Sequence, residues 1–389
     1  MSIALINGRM LLGDGHAGGA LTEGRCVLIE EGRIAAIAAP GEQRVKRARR
    51  HDLEGALLLP GFIDSQVNGG GGVLFNDDPS VEAIRAIGRA HRRFGTTGFL
   101  PTLISDDLEV VARAIAAVRA ALESGVPGVL GIHIEGPFLN VERKGVHDPA
   151  KLRELDASAV GLLSSLRAGR TLVTLAPEMT TPELIQGLVA AGVVVSAGHT
   201  NATYAQMSTA LRHGLSGFTH LFNAMSQLTG REPGAVGAAL EDRGSWCGII
   251  VDGQHISPVV LRIALRCKPH DRFMLVTDAM PGVGTQATSF ELQGRRILVS
   301  GDVCVDEEGR LAGSNIDMAS CVRNAVRMLG VPLAEAARMA SQWPAEFLGL
   351  GKELGRIAPG LRASLVAADD DLKVLDTWID GRSTADEAG

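Results

Sequence analysis

Val193-Val194-Val195-Ser196-Ala197-Gly198-His199-Thr200, followed after a helix-length interval by Gly217-Phe218-Thr219-His220-Leu221-Phe222-Asn223-Ala224, is the stretch on which the fold turns. Its continuous β-branched run suits a strand buried on both faces. Thr200 is placed to cap the helix that follows, and Gly214 to end it. Strand, helix and strand make a βαβ unit, in which chemistry collects at the carboxyl ends of the strands. Both histidines, His199 and His220, stand there. One histidine at a strand end is ordinarily structural, but two in consecutive units point to a pair of ligands.

The same texture extends in both directions. Strands are expected at 61–66, 97–102, 128–135, 171–176, 193–197, 217–220, 246–251 and 273–278. Ser80 and Gly95 bracket one intervening helix, Thr181-Pro182 and Gly192 another, and Ser257-Pro258 opens a third. Eight successive βα units imply an α/β protein with a closed (β/α)8 TIM barrel rather than an open sheet. Residues 290–311 read as a β segment inserted after the eighth strand, with helices around 317–329 and 332–348. The four glycines at 69–72 lack the Lys-Ser/Thr of a phosphate cradle and read as a flexible loop near the barrel mouth.

Residues 2–57 show only short strands and tight turns, among them a hairpin turning at Glu31-Gly32. The segment 355–381 has the same character. The two ends are expected to combine into a small β-sandwich domain (1–57 and 355–389), leaving 58–354 as the barrel domain. A chain of 389 residues can bury a core of that size.

A formal charge of −6 gives no basic field for nucleic acid, and the basic cluster at 44–50 reads as a solvated strand or turn. Five dispersed cysteines without a Cys-x-x-Cys pair fit reduced thiols. No apolar run approaches the ~20 residues that span a bilayer, and the start lacks a signal-peptide pattern. A cytoplasmic protein with no membrane or nucleic-acid partner is expected.

If those strands form, their carboxyl ends carry a specific polar set. Gln66 and Asn68 end the first strand, Glu135 the third, His199 the fifth, His220 the sixth and Asp278 the eighth. His147 and His255 follow the third and seventh. A carboxylate with two imidazoles is the open ligand set of a catalytic zinc or ferrous site. Asp278 is then placed as general base, because a metal lowers the pKa of its water toward ~7. His133, on the same strand face as Glu135, reads as a support or as barrel filling. His16, His51, His91, His213 and His270 receive no role.

These residues belong to longer stretches: Pro60-Gly61-Phe62-Ile63-Asp64, His133-Ile134-Glu135-Gly136-Pro137, Leu175-Ala176-Pro177-Glu178, Thr219-His220-Leu221-Phe222-Asn223-Ala224-Met225, Gly230-Arg231-Glu232-Pro233-Gly234, Asp252-Gly253-Gln254-His255, Val276-Thr277-Asp278-Ala279 and Leu311-Ala312-Gly313-Ser314. In order and almost end to end, the chain resembles the N-acetylglucosamine-6-phosphate deacetylase family of the amidohydrolase superfamily. The resemblance implies one divalent metal per subunit, Zn²⁺ or Fe²⁺, on Glu135, His199 and His220, with Asp278 as proton donor and acceptor. It implies that Arg231, His255 and the backbone N–H groups of Asn223 and Ala224 bind the sugar phosphate. Val146 and His147 would lie against the sugar and the amide carbonyl, and Leu311, Ala312 and Gly313 would close over the acetyl group. It further implies a homodimer, open to higher assembly, in which His255 reaches the neighbouring subunit's substrate.

The expected reaction is hydrolysis of the acetamide of N-acetylglucosamine 6-phosphate in amino-sugar catabolism. Two other enzymatic readings stand beside it: the galactosamine epimer or another phosphorylated N-acetyl sugar, and a different amidohydrolase acting on a cyclic amide. Relatives of the last kind carry His-x-His on the first strand, where this chain has Gln66 and Asn68. A barrel kept as a sensor or scaffold would show losses among its chemical residues, and Glu135, His199, His220 and Asp278 are all present.

Overall fold

The computed structural model describes residues 2–13 and 20–387; His16 lies outside the described residues. Eight parallel strands lie side by side in sequence order: Phe62–Val67, Thr96–Ile104, Gly131–Glu135, Arg170–Leu175, Val194–Ala197, Gly217–Phe218, Trp246–Ile249 and Phe273–Leu275. Every expected barrel strand is present. Thr96–Ile104 is buried along its whole length, as a strand covered on both faces should be. The ring is completed just past the eighth strand, where Val67 bridges Ala279 and the Asp278 N–H donates to the Gln66 carbonyl at 3.0 Å.

Local chemistry starts and stops the helices. Ser257 accepts from the Val259 N–H ahead of Pro258–Cys267, and Thr181 accepts from the Leu184 N–H ahead of Pro182–Ala190. One cap differs from expectation. Tyr204–Arg212 is capped by Thr203 in a reciprocal box with Gln206, three residues beyond Thr200. Thr200 instead donates its hydroxyl to Glu178 at 2.6 Å. The helix expected at 332–348 is two, Leu333–Met339 and Gln342–Phe347. Pro344 has no N–H to offer the carbonyl of residue 340, and the chain bends there.

The glycine run is also more ordered than expected. Gly69–Gly70 and Val73–Leu74 pair as a two-stranded hairpin across Gly71 and Gly72, both at positive φ. A Cβ on Gly69 would come within 2.4 Å of the Val73 carbonyl oxygen and 2.9 Å of the Pro281 nitrogen, so only glycine fits.

The inserted segment forms a four-stranded antiparallel sheet of Ser289–Leu292, Arg295–Ser300, Val303–Asp306 and Leu311–Ser314. Its last strand returns to the barrel mouth, with Ser314 N–H on the Asp278 carbonyl and Met280 N–H on the Ser314 carbonyl, each 2.9 Å. Leu292, Ile297, Cys304 and Ala312 pack with Leu74, Ile104 and Met280. A buried aliphatic side chain contributes about 1.5–3 kcal/mol and a hydrogen bond about 0.5–1.5 kcal/mol net. The core therefore anchors the sheet, and the backbone bonds set its register.

By contact the chain divides into two compact units, one of residues through 64, 91–98 and 318 onward, the other of 65–90 and 99–317. Within the first, the sheet of Arg33–Ala38, Cys26–Glu30, Ile3–Ile6 and Arg49–Asp52 faces a second of Arg9–Met10, Leu57–Pro60, Leu365–Ala368, Val374–Ile379 and Arg382–Ser383. Leu5, Val27 and Ile34 from one meet Leu58, Leu365 and Trp378 from the other in one core. Leu57–Pro60 pairs antiparallel with Leu365–Ala368, so the two ends of the chain do build a sandwich together. The Glu31-Gly32 turn has both residues at positive φ, as a two-residue hairpin requires. Among the described residues no helix is long and apolar enough to cross a membrane.

Candidate metal centre and active site

Three strand ends converge on one point. His220 Nε2 lies 2.9 Å from Glu135 Oε1 and 3.1 Å from His199 Nε2, and His199 Nε2 lies 3.3 Å from the same carboxylate oxygen. Among the described residues this is the group of carboxylate and imidazole side chains placed to hold a metal ion. The donor set fits a divalent cation. His199 Nδ1 faces the Arg143 carbonyl at 2.8 Å and so carries the hydrogen, which leaves the Nε2 lone pair turned toward His220 and Glu135. Two ring nitrogens and a carboxylate oxygen meeting at such distances want a shared positive charge between them.

The backbone turns sharply to bring these groups inward. His199, His220 and Asp278 have φ of 47°, 34° and 53°, and Phe222 and Ala224 are left-handed as well. Each such non-glycine residue costs about 1–3 kcal/mol, which packing elsewhere must offset. Concentration of this strain at three strand ends marks a functional site.

The electrostatics follow from burial and neighbours. Burial opposes the charge on Glu135, but bonds and charge from His199 and His220 outweigh it and hold the carboxyl well below its usual range. Burial and the Glu135 charge push Asp278 up to about 6. Asp278 is thus suited to pass a proton near neutrality. Burial and repulsion from His199 bring His147 down to about 3, so its ring is neutral.

Gln66 and Asn68 act on the carboxylates. Gln66 Nε2 donates to both Glu135 oxygens and to Asp278 Oδ1, each at 3.2 Å, and Asn68 Nδ2 donates to Asp278 Oδ1 at 2.6 Å. They orient the two acids. Asn68 Oδ1 is buried and without a hydrogen-bond partner, beside a cavity of about 300 Å³.

That cavity brings together most of the expected residues. Asn68, Glu135, Val146, His147, His199, His220, Asn223, Ala224, His255, Asp278, Leu311 and Gly313 line it. Ala312 is wholly buried in the insert's core, placed there by strand alternation. Arg231 is exposed on the loop after the sixth strand and does not line this cavity. His255 lines its own chain's cavity, with Nδ1 donating to Asp252 at 2.6 Å. The Asn223 N–H is already bonded to the His220 carbonyl at 3.0 Å, because the chain turns back on itself there. Among the described residues, a larger cavity of about 820 Å³ near Arg9, His51 and Asp370 in the terminal sheets holds no carboxylate–imidazole group placed to share a metal ion.

Two contributors escaped the sequence reading. Ser105 approaches His147 Nδ1 with its hydroxyl at 2.7 Å and its backbone N–H at 3.3 Å. A backbone N–H can only donate, so Nδ1 is the acceptor and the neutral ring carries its hydrogen on Nε2. The second strand runs on to Ile104, two residues past its expected end, and this extension makes Ser105 a strand-end residue. Glu178 accepts from the Thr200 hydroxyl, the Asn201 N–H and Asn140 Nδ2, tying the loops that carry His199 and His147. It sat in one of the family-like stretches without a role.

Comparison with known proteins agrees with this architecture. The family model for the amidohydrolase family matches residues 57–384. An N-acetylgalactosamine-6-phosphate deacetylase of Shewanella sp. (strain ANA-3) is 44% identical, over 96% of this chain and 95% of that one. An N-acetylglucosamine-6-phosphate deacetylase of Haemophilus influenzae is 37% identical, over 91% and 93%. The crystal structure of N-acetylglucosamine-6-phosphate deacetylase from Pasteurella multocida superposes with a TM-score of 0.94 at 36% identity, covering 99% of this chain and all of the other.

Proposed function

This chain belongs to the amidohydrolase family, and from that membership we propose that it hydrolyses the acetamide of N-acetylglucosamine 6-phosphate to glucosamine 6-phosphate and acetate. The observation that carries the reading is geometric: Asp278 lines the same cavity as the Glu135, His199 and His220 trio and is tied to Glu135 through Gln66. Glu135, His199 and His220 would hold one divalent ion, Zn²⁺ or Fe²⁺ by donor type. When bound, that ion supplies Lewis-acid charge that acidifies water and polarises a carbonyl.

The chain's own residues do the rest. Asp278, steadied by Asn68, takes a proton from the attacking water and returns it to the amine, which is otherwise a poor leaving group. His147 offers Nε2–H to the carbonyl oxygen as negative charge develops there. Val146 lies against the sugar, Leu311 and Gly313 close over the acetyl group, and Ala312 holds that strand in the insert's core. His255, braced by Asp252, and the Ala224 N–H serve the phosphate end.

The 44% identity to a galactosamine-type deacetylase favours a second reading, the epimeric substrate. Acetate release from both epimers and from unphosphorylated N-acetylglucosamine decides. The first reading expects the highest kcat/KM on N-acetylglucosamine 6-phosphate and a large loss without the phosphate. A higher value on the galactosamine epimer overturns it in favour of the second, and turnover of neither phosphorylated sugar overturns both.

We also propose a homodimer acting in the cytoplasm on amino sugars, with 1–57 and 355–389 as its sandwich domain and 58–354 as its catalytic barrel. The free cysteines support that compartment. Val259 and Ile263 are 55% and 52% exposed on one face of Pro258–Cys267, and Leu228, 58% exposed, shares a loop with Arg231. Exposed apolar side chains and an outward arginine suit a second copy, whose phosphate site Arg231 completes by a charge-assisted bond. Mixed dimers test this. Chains carrying Arg231→Ala and chains carrying His255→Ala should each be weak alone. A heterodimer then has one doubly defective site and one intact site, so mixing restores up to about half the wild-type activity per heterodimer. No recovery after confirmed subunit exchange places both residues within one chain's site.

A further inference from the structure

Gln293 lies at the tip of the hairpin between Ser289–Leu292 and Arg295–Ser300, in left-handed backbone at φ 49°. Its side-chain amide bonds in two directions. Oε1 accepts the Asp148 N–H at 2.9 Å, and Nε2 donates to the Ser105 carbonyl at 2.9 Å. The first contact grips the peptide that leaves His147, and the second grips the peptide that leaves Ser105. Those two loops follow different barrel strands; beside the cavity they meet through the bond between Ser105 and the His147 ring, and farther out Lys151 pairs with Asp106 and Asp107.

We propose that Gln293 is a positioning residue for His147, cross-linking the peptides beside Ser105 and His147 so that the ring stays in its Nε2–H form and points into the cavity. This rests on the reading of His147 as hydrogen-bond donor to the amide carbonyl. The Ser105 N–H at 3.3 Å is a long contact, and a small rotation of that peptide would leave Nδ1 only the Ser105 hydroxyl at 2.7 Å, which can donate or accept and so does not fix the tautomer. Holding the next carbonyl restricts that rotation. The task needs one donor and one acceptor in a single planar group, on a stem long enough to reach both loops, and the glutamine side chain combines them. The insert thereby acts as a strut for a residue it does not itself touch with a reacting group.

Two substitutions separate this role from a mere turn preference. Gln293→Asn keeps a residue that accepts left-handed backbone but shortens the stem by one methylene. Gln293→Glu keeps length and shape, still accepts from Asp148, and turns a donor into an acceptor facing the Ser105 carbonyl. Both are expected to lower kcat by ~10–100-fold, since a displacement of about 1 Å at a reacting group has that effect. KM should stay within about three-fold, and metal content and Tm should match wild type. In a His147→Ala background, Gln293→Glu should lower kcat no further, because residues acting as a unit are not additive. A kcat within about two-fold of wild type for both variants overturns the proposal. So does a loss that multiplies fully on top of His147→Ala. Wild-type enzyme inactive on both phosphorylated sugars would instead remove the reaction reading on which the proposal rests.

Discussion

Asp278→Asn is expected to abolish nearly all turnover, by at least ~10²–10⁴-fold in kcat, while the protein keeps its metal. Asparagine has the shape of aspartate, and its side-chain oxygen can still accept from Asn68 at 2.6 Å and Gln66 at 3.2 Å. The pocket therefore stays packed. What disappears is the proton shuttle, because an amide does not titrate near neutrality. No metal-type ligand is altered, so metal analysis should return the wild-type content. Single-turnover acetate release measures the loss directly. A variant retaining a tenth of wild-type kcat would sink the role assigned to Asp278.

Glu135→Gln should remove both metal and activity. Glu135 is the sole anion of the trio, and it is buried among two imidazoles that hold its carboxyl ionised. Replacing it leaves three neutral donors in a buried site, which no longer offset a divalent charge. The fall in metal affinity should exceed the ~10–100-fold typical of changes outside the ligand shell. Wild-type protein purified without chelator should carry close to one equivalent per chain, because Gln66 and Asn68 spend their N–H groups on the two carboxylates. Metal analysis of both proteins, with chelator competition, checks the pair of statements. Two equivalents in the wild type, both needed for activity, would overturn the single-metal reading, and full retention in Glu135→Gln would overturn the ligand assignment.

The eight strands and the trio were legible because their signals are short-range. Val193 to Val195 announce a buried strand within three residues, and a polar residue at the end of such a run lies at the barrel mouth whatever surrounds it. Strand-end placement alone thus brought Glu135, His199, His220 and Asp278 together. Local spacing does not separate Thr200 from Thr203 as the cap, because both are threonines ahead of the helix, and only Glu178, at 2.6 Å, shows what Thr200 is engaged in. The flexible loop expected of four glycines is a tight hairpin, since glycine there answers a close approach to Pro281 that no local pattern contains.

What the sequence determined by itself was the barrel, the sandwich from both termini, and the acids and imidazoles at the mouth. Tertiary structure alone decided how those groups are aimed. Ser105 lies 42 residues from His147, and Gln293 lies 145 residues from Asp148. It also decided that His255 turns into its own cavity while Arg231 turns out. Periodicity and caps report on neighbours within a turn or two of chain. A hydrogen bond across such separations exists only once the barrel has closed and the inserted sheet has folded back on it, and its donors carry no mark of it beforehand.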